Sequence, residues 1–186
     1  MQDVVAALVM KRLRLGSAMV ALALLAFGAV GATANQCTGA KLKAIGKKES
    51  GLLGCQSKVA AKNDASGLVA CEAKVSGKFA AAFAKAGTCL GAVGICETQA
   101  DACETVVASA LTDTLPSKCE AAKRKAAGKL ASGEFGCYAK AAMKGTPLDT
   151  PCIAKATMKF TAALTKAGTC PDGGSPQALV EDSCVT

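Results

Sequence analysis

The sequence predicts an all-α protein of two tandem disulfide-stapled antiparallel helical hairpins, each with an accessory third helix that is truncated in the second. Three observations predict this fold: an internal duplication, a mirrored spacing of the cysteines, and alanine- and lysine-rich segments that are divided by short turns. The chain has 11 cysteines, one tyrosine and no tryptophan or histidine. Its core must therefore rely on small aliphatic side chains and a few phenylalanines, and covalent staples would stabilise it.

The first 34 residues have the organisation of a secretory signal. A basic segment at 11–14 precedes the apolar run Leu15–Val30, and the sequence "ATA" ends at Ala34. We expect cleavage near Ala34, and Met10 is a more natural start than the first methionine. The apolar run is short and Ala-rich, which disfavours a membrane anchor. We therefore expect a secreted or periplasmic protein without a transmembrane anchor after cleavage.

The rest of the chain is a tandem duplication. In the first helix of each copy 14 of 26 aligned positions are identical, and in the second helix 12 of 19 are identical. The aligned segments are Cys37–Lys62 with Cys119–Lys144, and Cys71–Cys89 with Cys152–Cys170. We therefore expect helical repeat one at 35–116 and helical repeat two at 117–186. Both copies end in "KAGTC", whose glycine we expect to end a helix.

All the cysteines follow the leader, which in an exported protein indicates a disulfide framework. Cys37 and Cys55 are 18 residues apart, as are Cys71 and Cys89. Eighteen residues make five helical turns, so both cysteines lie on one face of their helix. In an antiparallel hairpin, the sequence numbers of two residues at the same height add up to the same value along the whole hairpin. In each repeat an outer and an inner pair of cysteines meet this condition. The expected bridges are Cys37–Cys89, Cys55–Cys71, Cys119–Cys170 and Cys137–Cys152.

A third helix is predicted at Gly94–Leu111, with Ile95, Ala102, Cys103, Val106 and Ala110 on its apolar side, which would cover the hairpin. Its counterpart in repeat two is the shorter segment at 176–186. We expect Cys184 to pair with Cys103, with Cys96 as the alternative partner. The remaining thiol, Cys96 in the first case, would stay free or join two chains in a disulfide-linked dimer.

Local sequence signals define the helix ends. The segment "SKCE" at Ser117–Glu120 has the spacing of a capping box. Thr150 is the expected N-cap of the last long helix, with Pro151 at its first position.

Lysines form one face of each predicted hairpin and apolar side chains form the other. Lys41 breaks this pattern. The apolar face of the first repeat contains Ile45, Leu52, Leu53, Phe79 and Phe83. The basic faces contain Lys43, Lys47, Lys58, Lys62, Lys74, Lys78, Lys85, Lys125, Lys129, Lys140, Lys144, Lys155, Lys159 and Lys166.

We expect no enzymatic activity, no metal site and no cofactor. Hydrolytic catalysis usually pairs a nucleophile with a base, and the chain contains no histidine. The chain also lacks the C-x-x-C spacing of thiol oxidoreductases and of most zinc and iron–sulfur sites. The carboxylates Glu97, Asp101 and Glu104 are interpreted as the solvated face of the third helix.

The lysine faces are the candidate functional surface. Solubility alone is one explanation, since an Ala-rich helix needs charge on its exposed side. The functional interpretation is a structural or binding role, with attraction to an anionic polysaccharide, lipopolysaccharide or another polyanion. Sequence-specific nucleic-acid recognition is not expected, because Arg124 is the one arginine after the leader and aromatic residues are scarce.

A membrane-active amphipathic protein, saposin-like in behaviour, is the alternative. The cysteine spacing nevertheless differs from the saposin pattern.

The recurring pattern CxxAKxKAxGK…GxxGCxxK…CxAKxxxKF…KAGTC resembles a cysteine- and lysine-rich tandem helical-hairpin repeat of uncharacterised secreted bacterial proteins. The resemblance covers most of the chain after the leader and implies export and repetition without implying an activity. Two features depart from it: Gln177 stands at the position of Cys96 in repeat two, and the last helix is short.

Overall fold

The computed structural model describes residues 32–89, 91, 93–110, 116–168, 180 and 184. This part of the chain is helical and contains no strand. The helices are α1 (Ala32–Lys62), α2 (Leu68–Ala86), α3 (Val93–Ala110), α4 (Lys118–Lys144) and α5 (Thr150–Ala167). The predicted all-α class is therefore confirmed. Of the predicted leader, Ala32–Ala34 form the first turn of α1 and the remaining residues lie outside the described part.

Each repeat contains a helical hairpin, α1 with α2 and α4 with α5. Disulfides hold the two helices of the first hairpin at both ends, Cys37–Cys89 and Cys55–Cys71, with Cα–Cα distances of 6.1 and 5.9 Å. In the second hairpin Cys137 is bonded to Cys152, with a Cα–Cα distance of 5.8 Å. These are pairs that the mirrored spacing predicts. Cys119 is also disulfide-bonded, and its expected partner Cys170 lies outside the described residues.

The helix ends follow local chemistry. Ser117 is the N-cap of α4, and its hydroxyl accepts a hydrogen bond from the amide of Glu120 at 3.1 Å. Helix α5 is capped by Asp149 rather than by Thr150, so the predicted cap was wrong by one residue. Pro151 lies in the first turn of this helix, where its missing amide proton leaves no hydrogen bond unmade. The glycines of the two "KAGTC" segments, Gly87 and Gly168, end α2 and α5 at φ values of 90° and 86°. Such values favour glycine.

The two repeats pack against each other through α1 and α4, which run antiparallel and form the most extensive helix–helix contact in the described chain. The C-terminus of α1 lies beside the N-terminus of α4, where the amide of Ser117 donates to the carbonyl of Ala60 at 2.8 Å. One turn further, the hydroxyl of Ser57 donates to the carbonyl of Ala121 at 2.7 Å. All of these helices belong to one compact unit.

Glycine allows the close approach of α1 and α4, and it does so symmetrically. A Cβ placed on Gly46 would lie 2.7 Å from Cβ of Phe135 and 3.2 Å from Cα of Ser132. A Cβ on the counterpart of Gly46, Gly128, would lie 3.2 Å from Cβ of Leu53 and 3.1 Å from Cα of Ser50. Ser50 and Leu53 are the repeat-one counterparts of Ser132 and Phe135. The contact is therefore isologous, as in a two-fold symmetric dimer.

The apolar faces predicted for the hairpins form the core. One cluster joins Ala44, Ile45, Phe79, Phe83 and Phe135 from both repeats. A second cluster contains Leu53, Cys103, Val107, Ala126, Ala127, Leu130, Ala131, Phe160, Val180 and Cys184. We expected the third helix to cover the hairpin, whereas much of this cover is the long helix of the other repeat. Of the predicted last helix only Val180 and Cys184 are described, and both are buried.

Helix α3 lies against α1, turned differently from the prediction. Ala100, Cys103 and Val107 are its buried residues, and Cys103 is bonded to Cys184 with a Cα–Cα distance of 4.8 Å. Ile95 and Val106, which we expected to face inward together with Ala102, are exposed. Ala102 is exposed as well. The prediction was right for Cys103 and wrong for Ile95, Ala102 and Val106, because the helix turns its carboxylates toward a buried lysine of α1.

Candidate anion-binding surface

The basic faces predicted from the sequence are exposed. All fourteen lysines assigned to them lie in the four hairpin helices, and every one of these side chains is in the exposed class. Within the described part of the chain none of the fourteen forms an ion pair. Their ammonium groups are therefore available to a ligand.

No acidic side chain of the four hairpin helices is fully exposed. Glu49, Glu120 and Glu134 are buried, Glu72 is half-buried, and α5 contains no acidic residue. The fully exposed charged side chains of these four helices are thus all lysines. Two exposed carboxylates, Asp64 and Asp149, lie instead at the turns between paired helices. This separation of charges could not be deduced from composition, because it depends on which carboxylates the fold buries.

The lysines also stand in like-charged pairs. Twelve of the fourteen are spaced four residues apart along a helix, which places neighbouring Cβ atoms about 5–6 Å from each other. The pairs are Lys43–Lys47, Lys58–Lys62, Lys74–Lys78, Lys125–Lys129, Lys140–Lys144 and Lys155–Lys159. Each such pair destabilises its helix by roughly 0.2–0.5 kcal/mol. The fold tolerates this repulsion in both repeats.

Lys41, which broke the predicted pattern, is buried. Its ammonium group donates to the carbonyls of Cys89 and Gly91 at 2.8 and 3.1 Å and lies 4.6 Å from the ring centroid of Phe83. Lys41 therefore ties the loop after α2 to α1 and does not belong to the basic face. Its repeat-two counterpart, Lys123, is buried as well.

Lys48 is a third buried lysine, which sequence analysis missed. Its ammonium group lies 3.0 Å from Oε1 of Glu97 and 2.8 Å from Oδ1 of Asp101, and 5.2 Å from the ring centroid of Phe79. The acidic stripe of α3 is therefore not simply a solvated face, because two of its three carboxylates neutralise Lys48. The third, Glu104, accepts a hydrogen bond from Gln56, and burial raises its pKa. The repeat-two counterpart of Lys48 is Leu130, so the duplication gives no hint of this contact.

A buried pair of carboxyl groups lies between the repeats, at Glu49 of α1 and Glu134 of α4. Neither side-chain oxygen of Glu49 has a hydrogen-bond partner within the described part of the chain. Burial, and next to it the proximity of Glu134, raises the pKa of Glu49 to about 9. Glu49 is therefore protonated at neutral pH and adds no negative charge to the molecule.

A groove of about 660 Å³ runs along the second hairpin between α4 and α5. Its lining includes Ala126, Ala156 and the Cys137–Cys152 disulfide, together with Leu130 and Phe160, whose side chains are themselves buried in the core. The rim carries four lysines of the basic face, Lys129, Lys140, Lys155 and Lys159. The groove therefore belongs to the basic face of the second hairpin.

Cys96 is a free thiol, half-buried beside the core cluster that contains Phe79, Phe83 and Phe135. Burial raises its pKa, and the nearby Lys41 ammonium opposes this only in part. The thiol is thus less reactive than an exposed one at neutral pH. A disulfide-linked dimer through Cys96 stays a prediction.

Among the described residues, no three or more His, Cys, Asp or Glu side chains are grouped as a metal site would require. None of the helices in the part searched has the length and apolar character of a membrane span. Comparisons with protein-family models, curated proteins and solved structures returned no match. The resemblance drawn from the repeated motif therefore stays a prediction.

Proposed function

We propose that the protein is an exported, non-enzymatic structural or binding protein whose lysine faces bind an anionic polymer, such as an acidic polysaccharide or lipopolysaccharide. The observation that carries the proposal is the one-signed exposed charge of the four hairpin helices. Disulfides between helices fit the oxidising conditions outside the cytoplasm.

The like-charged pairs favour binding over solubility as the role of these lysines. A surface that serves solubility alone is best built from interspersed charges of both signs. Here neighbouring ammonium groups repel each other, and the repulsion is strongest in the absence of a counterion. The two lysines of each pair are closer to each other than the Debye length, which is about 8 Å at physiological salt. A polyanion that lies along a helix would relieve several of these repulsions at once.

Retention on heparin–agarose at physiological salt tests the proposal. We expect the protein to be retained, and a variant without two of the lysine pairs to elute at clearly lower salt. This variant carries Lys74→Gln, Lys78→Gln, Lys155→Gln and Lys159→Gln. The control lowers the net charge by the same amount at exposed neutral positions of α3, with Thr98→Glu, Gln99→Glu, Thr105→Glu and Ser109→Glu.

If the lysine faces form the binding surface, the lysine variant loses more retention than the control. Equal loss in both variants would mean that net charge alone matters, and no retention of the wild-type protein would refute the proposal. Leakage of anionic liposomes by micromolar protein without retention on heparin would instead favour the membrane-active alternative.

A further inference from the structure

The four hairpin helices lie side by side in one layer, in the order α2, α1, α4, α5. Among the described helices, neither α2 nor α5 has an extensive contact with the opposite hairpin. Cys37 and Cys55, which bind α2, lie on one side of α1, whereas Gly46 and Leu53, which contact α4, lie about 160–180° around the helix axis from them. Each inner helix is therefore flanked by a helix on either side.

The two basic faces lie on the same side of this layer. Because α1 and α4 are antiparallel neighbours in an isologous contact, the axis that exchanges them is normal to the layer and keeps equivalent faces on one side. The Cys103–Cys184 disulfide fits this axis, since it joins two equivalent residues of the repeats. Helix α3 packs on the opposite side, where Lys48 and Gln56 of α1 contact its carboxylates. The basic side of the layer is thus left open.

Lysines are the exposed residues of the two inner helices. Between residues 40 and 60 of α1 these are Lys43, Lys47 and Lys58, and every other side chain there is buried or half-buried. In α4 they are Lys118, Lys125, Lys129, Lys140 and Lys144. Lys118 lies almost two turns before Lys125, on the same side of the helix. The centre of the layer therefore meets solvent through ammonium groups.

The outer helices fill the gaps that the inner helices leave. Lys74 and Lys78 of α2 are level with residues 52 and 48 of α1, between Lys47 and Lys58. The second hairpin repeats this arrangement. The lysines of one hairpin extend over about 30 Å at 1.5 Å per residue. Four helices with axes about 8–10 Å apart extend over about 24–30 Å. The lysines thus cover a broad face rather than a single row.

This basic face carries no aromatic anchor for insertion into lipid. The aromatic side chains of the described helices are buried or half-buried: Phe79, Phe83, Phe135, Tyr138 and Phe160. The exposed large apolar side chains of the four helices, Val69 and Met158, belong to different hairpins. Interfacial helices that insert present a continuous apolar face. Binding through this basic face is therefore electrostatic and leaves the core closed.

We propose that this basic face docks the protein, with its fold intact, on a lipid layer rich in anionic phosphate headgroups. The docking rests on the lysine faces of the proposed function and selects, among polyanions, a planar one. A linear chain that lies along one helix reaches a strip of the face. A lipid surface presents phosphates across the whole face and reaches both hairpins at once, so that the repulsion within all the lysine pairs is relieved together.

Co-sedimentation with unilamellar vesicles of equal parts phosphatidylcholine and phosphatidylglycerol tests the docking, with pure phosphatidylcholine vesicles as the neutral reference. We expect binding to the anionic vesicles alone, release at high salt and no leakage of an entrapped dye. Each lysine near such a surface strengthens binding about fivefold. Lys74→Gln with Lys78→Gln, and likewise Lys155→Gln with Lys159→Gln, should therefore each weaken binding about 25-fold. All four together should weaken it more than a hundredfold.

The matched control is the set of four glutamate substitutions on α3, which lowers the net charge on the opposite side of the layer and should weaken vesicle binding less. Equal weakening would overturn the docking, because net charge alone would then decide. Reductive methylation read by mass spectrometry maps the contact, and vesicles should protect lysines of both hairpins. Protection confined to one hairpin, or a double variant that binds vesicles like the wild-type protein, would overturn the shared face.

Two readouts separate this docking from the proposed function. Retention on heparin without binding to anionic vesicles would refute the lipid surface and leave polymer binding intact. Binding to vesicles without retention on heparin would support the lipid surface and refute the polymer. Dye leakage during binding would overturn docking with a closed core. Circular dichroism of each variant confirms that a loss of binding does not reflect a loss of fold.

Discussion

The buried carboxyl group of Glu49 makes a specific prediction about stability and pH. Its pKa is 4.5 in the unfolded chain and about 9 in the folded protein, chiefly because of burial and secondly because of Glu134. Folding therefore favours the protonated form. The stabilisation is fully present below pH 4.5 and is lost as the pH rises toward 9, because the unfolded chain ionises while the folded protein cannot do so without cost.

The size of the effect follows from the shift. Each pH unit between the two pKa values costs about 1.4 kcal/mol of folding free energy. At pH 7.5 the loss relative to pH 4.5 amounts to about 4 kcal/mol, a large part of the stability of a typical domain. Glu49→Gln replaces the protonated carboxyl by an uncharged group of similar shape. We therefore expect this variant to match the wild-type protein within about 1 kcal/mol at pH 4.5 and to exceed it by about 3–4 kcal/mol at pH 7.5.

Urea denaturation at pH 4.5, 6.0 and 7.5, with the disulfides intact, measures this difference. Taking the difference between variant and wild type cancels the titration of the other carboxyl groups. Glu134→Gln removes the second cause of the shift and leaves the first, so the pH dependence should weaken without disappearing. A stability difference between Glu49→Gln and wild type that stays constant over this pH range would refute the assignment of Glu49 as a buried, protonated acid.

Two further predictions concern the packing and the charges of the first repeat. Gly46→Ala should destabilise the protein by about 1–3 kcal/mol, because the new Cβ would overlap the facing helix. Gly54→Ala should stabilise it by up to about 1 kcal/mol, because its Cβ would meet no atom within 4 Å and alanine favours the helix. Thermal unfolding compares them, and equal effects would contradict the close α1–α4 contact. Lys48→Met should lower the free energy of unfolding by less than about 1 kcal/mol, because the side chains of Glu97 and Asp101 are 36% and 53% exposed and stay hydrated. Glu97→Gln with Asp101→Asn should lower it by about 3–5 kcal/mol, because the buried ammonium group is left without a counter-charge. Urea denaturation at neutral pH measures both losses. A larger loss for Lys48→Met than for the double variant would contradict the burial of this ammonium group.

The exposed face of the hairpins was predictable because it is a local property. Lysines four residues apart mark one side of a helix, and the repeat shows the same side twice. All fourteen lysines assigned in this way are exposed. The helix ends at Gly87 and Gly168 were predictable for a similar reason, since a glycine directly follows each helical pattern.

The partner of each apolar face was not predictable, because it is a tertiary property. The sequence shows that Leu53 and Phe135 lie on apolar faces, but not that each packs beside a glycine of the other repeat. Lys48 was missed because it differs from its counterpart Leu130 and its carboxylate partners lie about 50 residues away in α3. The predicted orientation of α3 was wrong for the same reason, since its ion pairs with Lys48 decide which side faces inward.

The proposed function requires that several lysines contact one polyanion together. The salt dependence of binding to a heparin-derived oligosaccharide measures the number of charges involved, because each neutralised anionic group releases condensed counterions. We expect the logarithm of the affinity to fall linearly with the logarithm of the salt concentration, with a slope that corresponds to at least four ion contacts. The variant without Lys74, Lys78, Lys155 and Lys159 should show a smaller slope. A slope near zero, or one unchanged by the loss of these lysines, would contradict the claim.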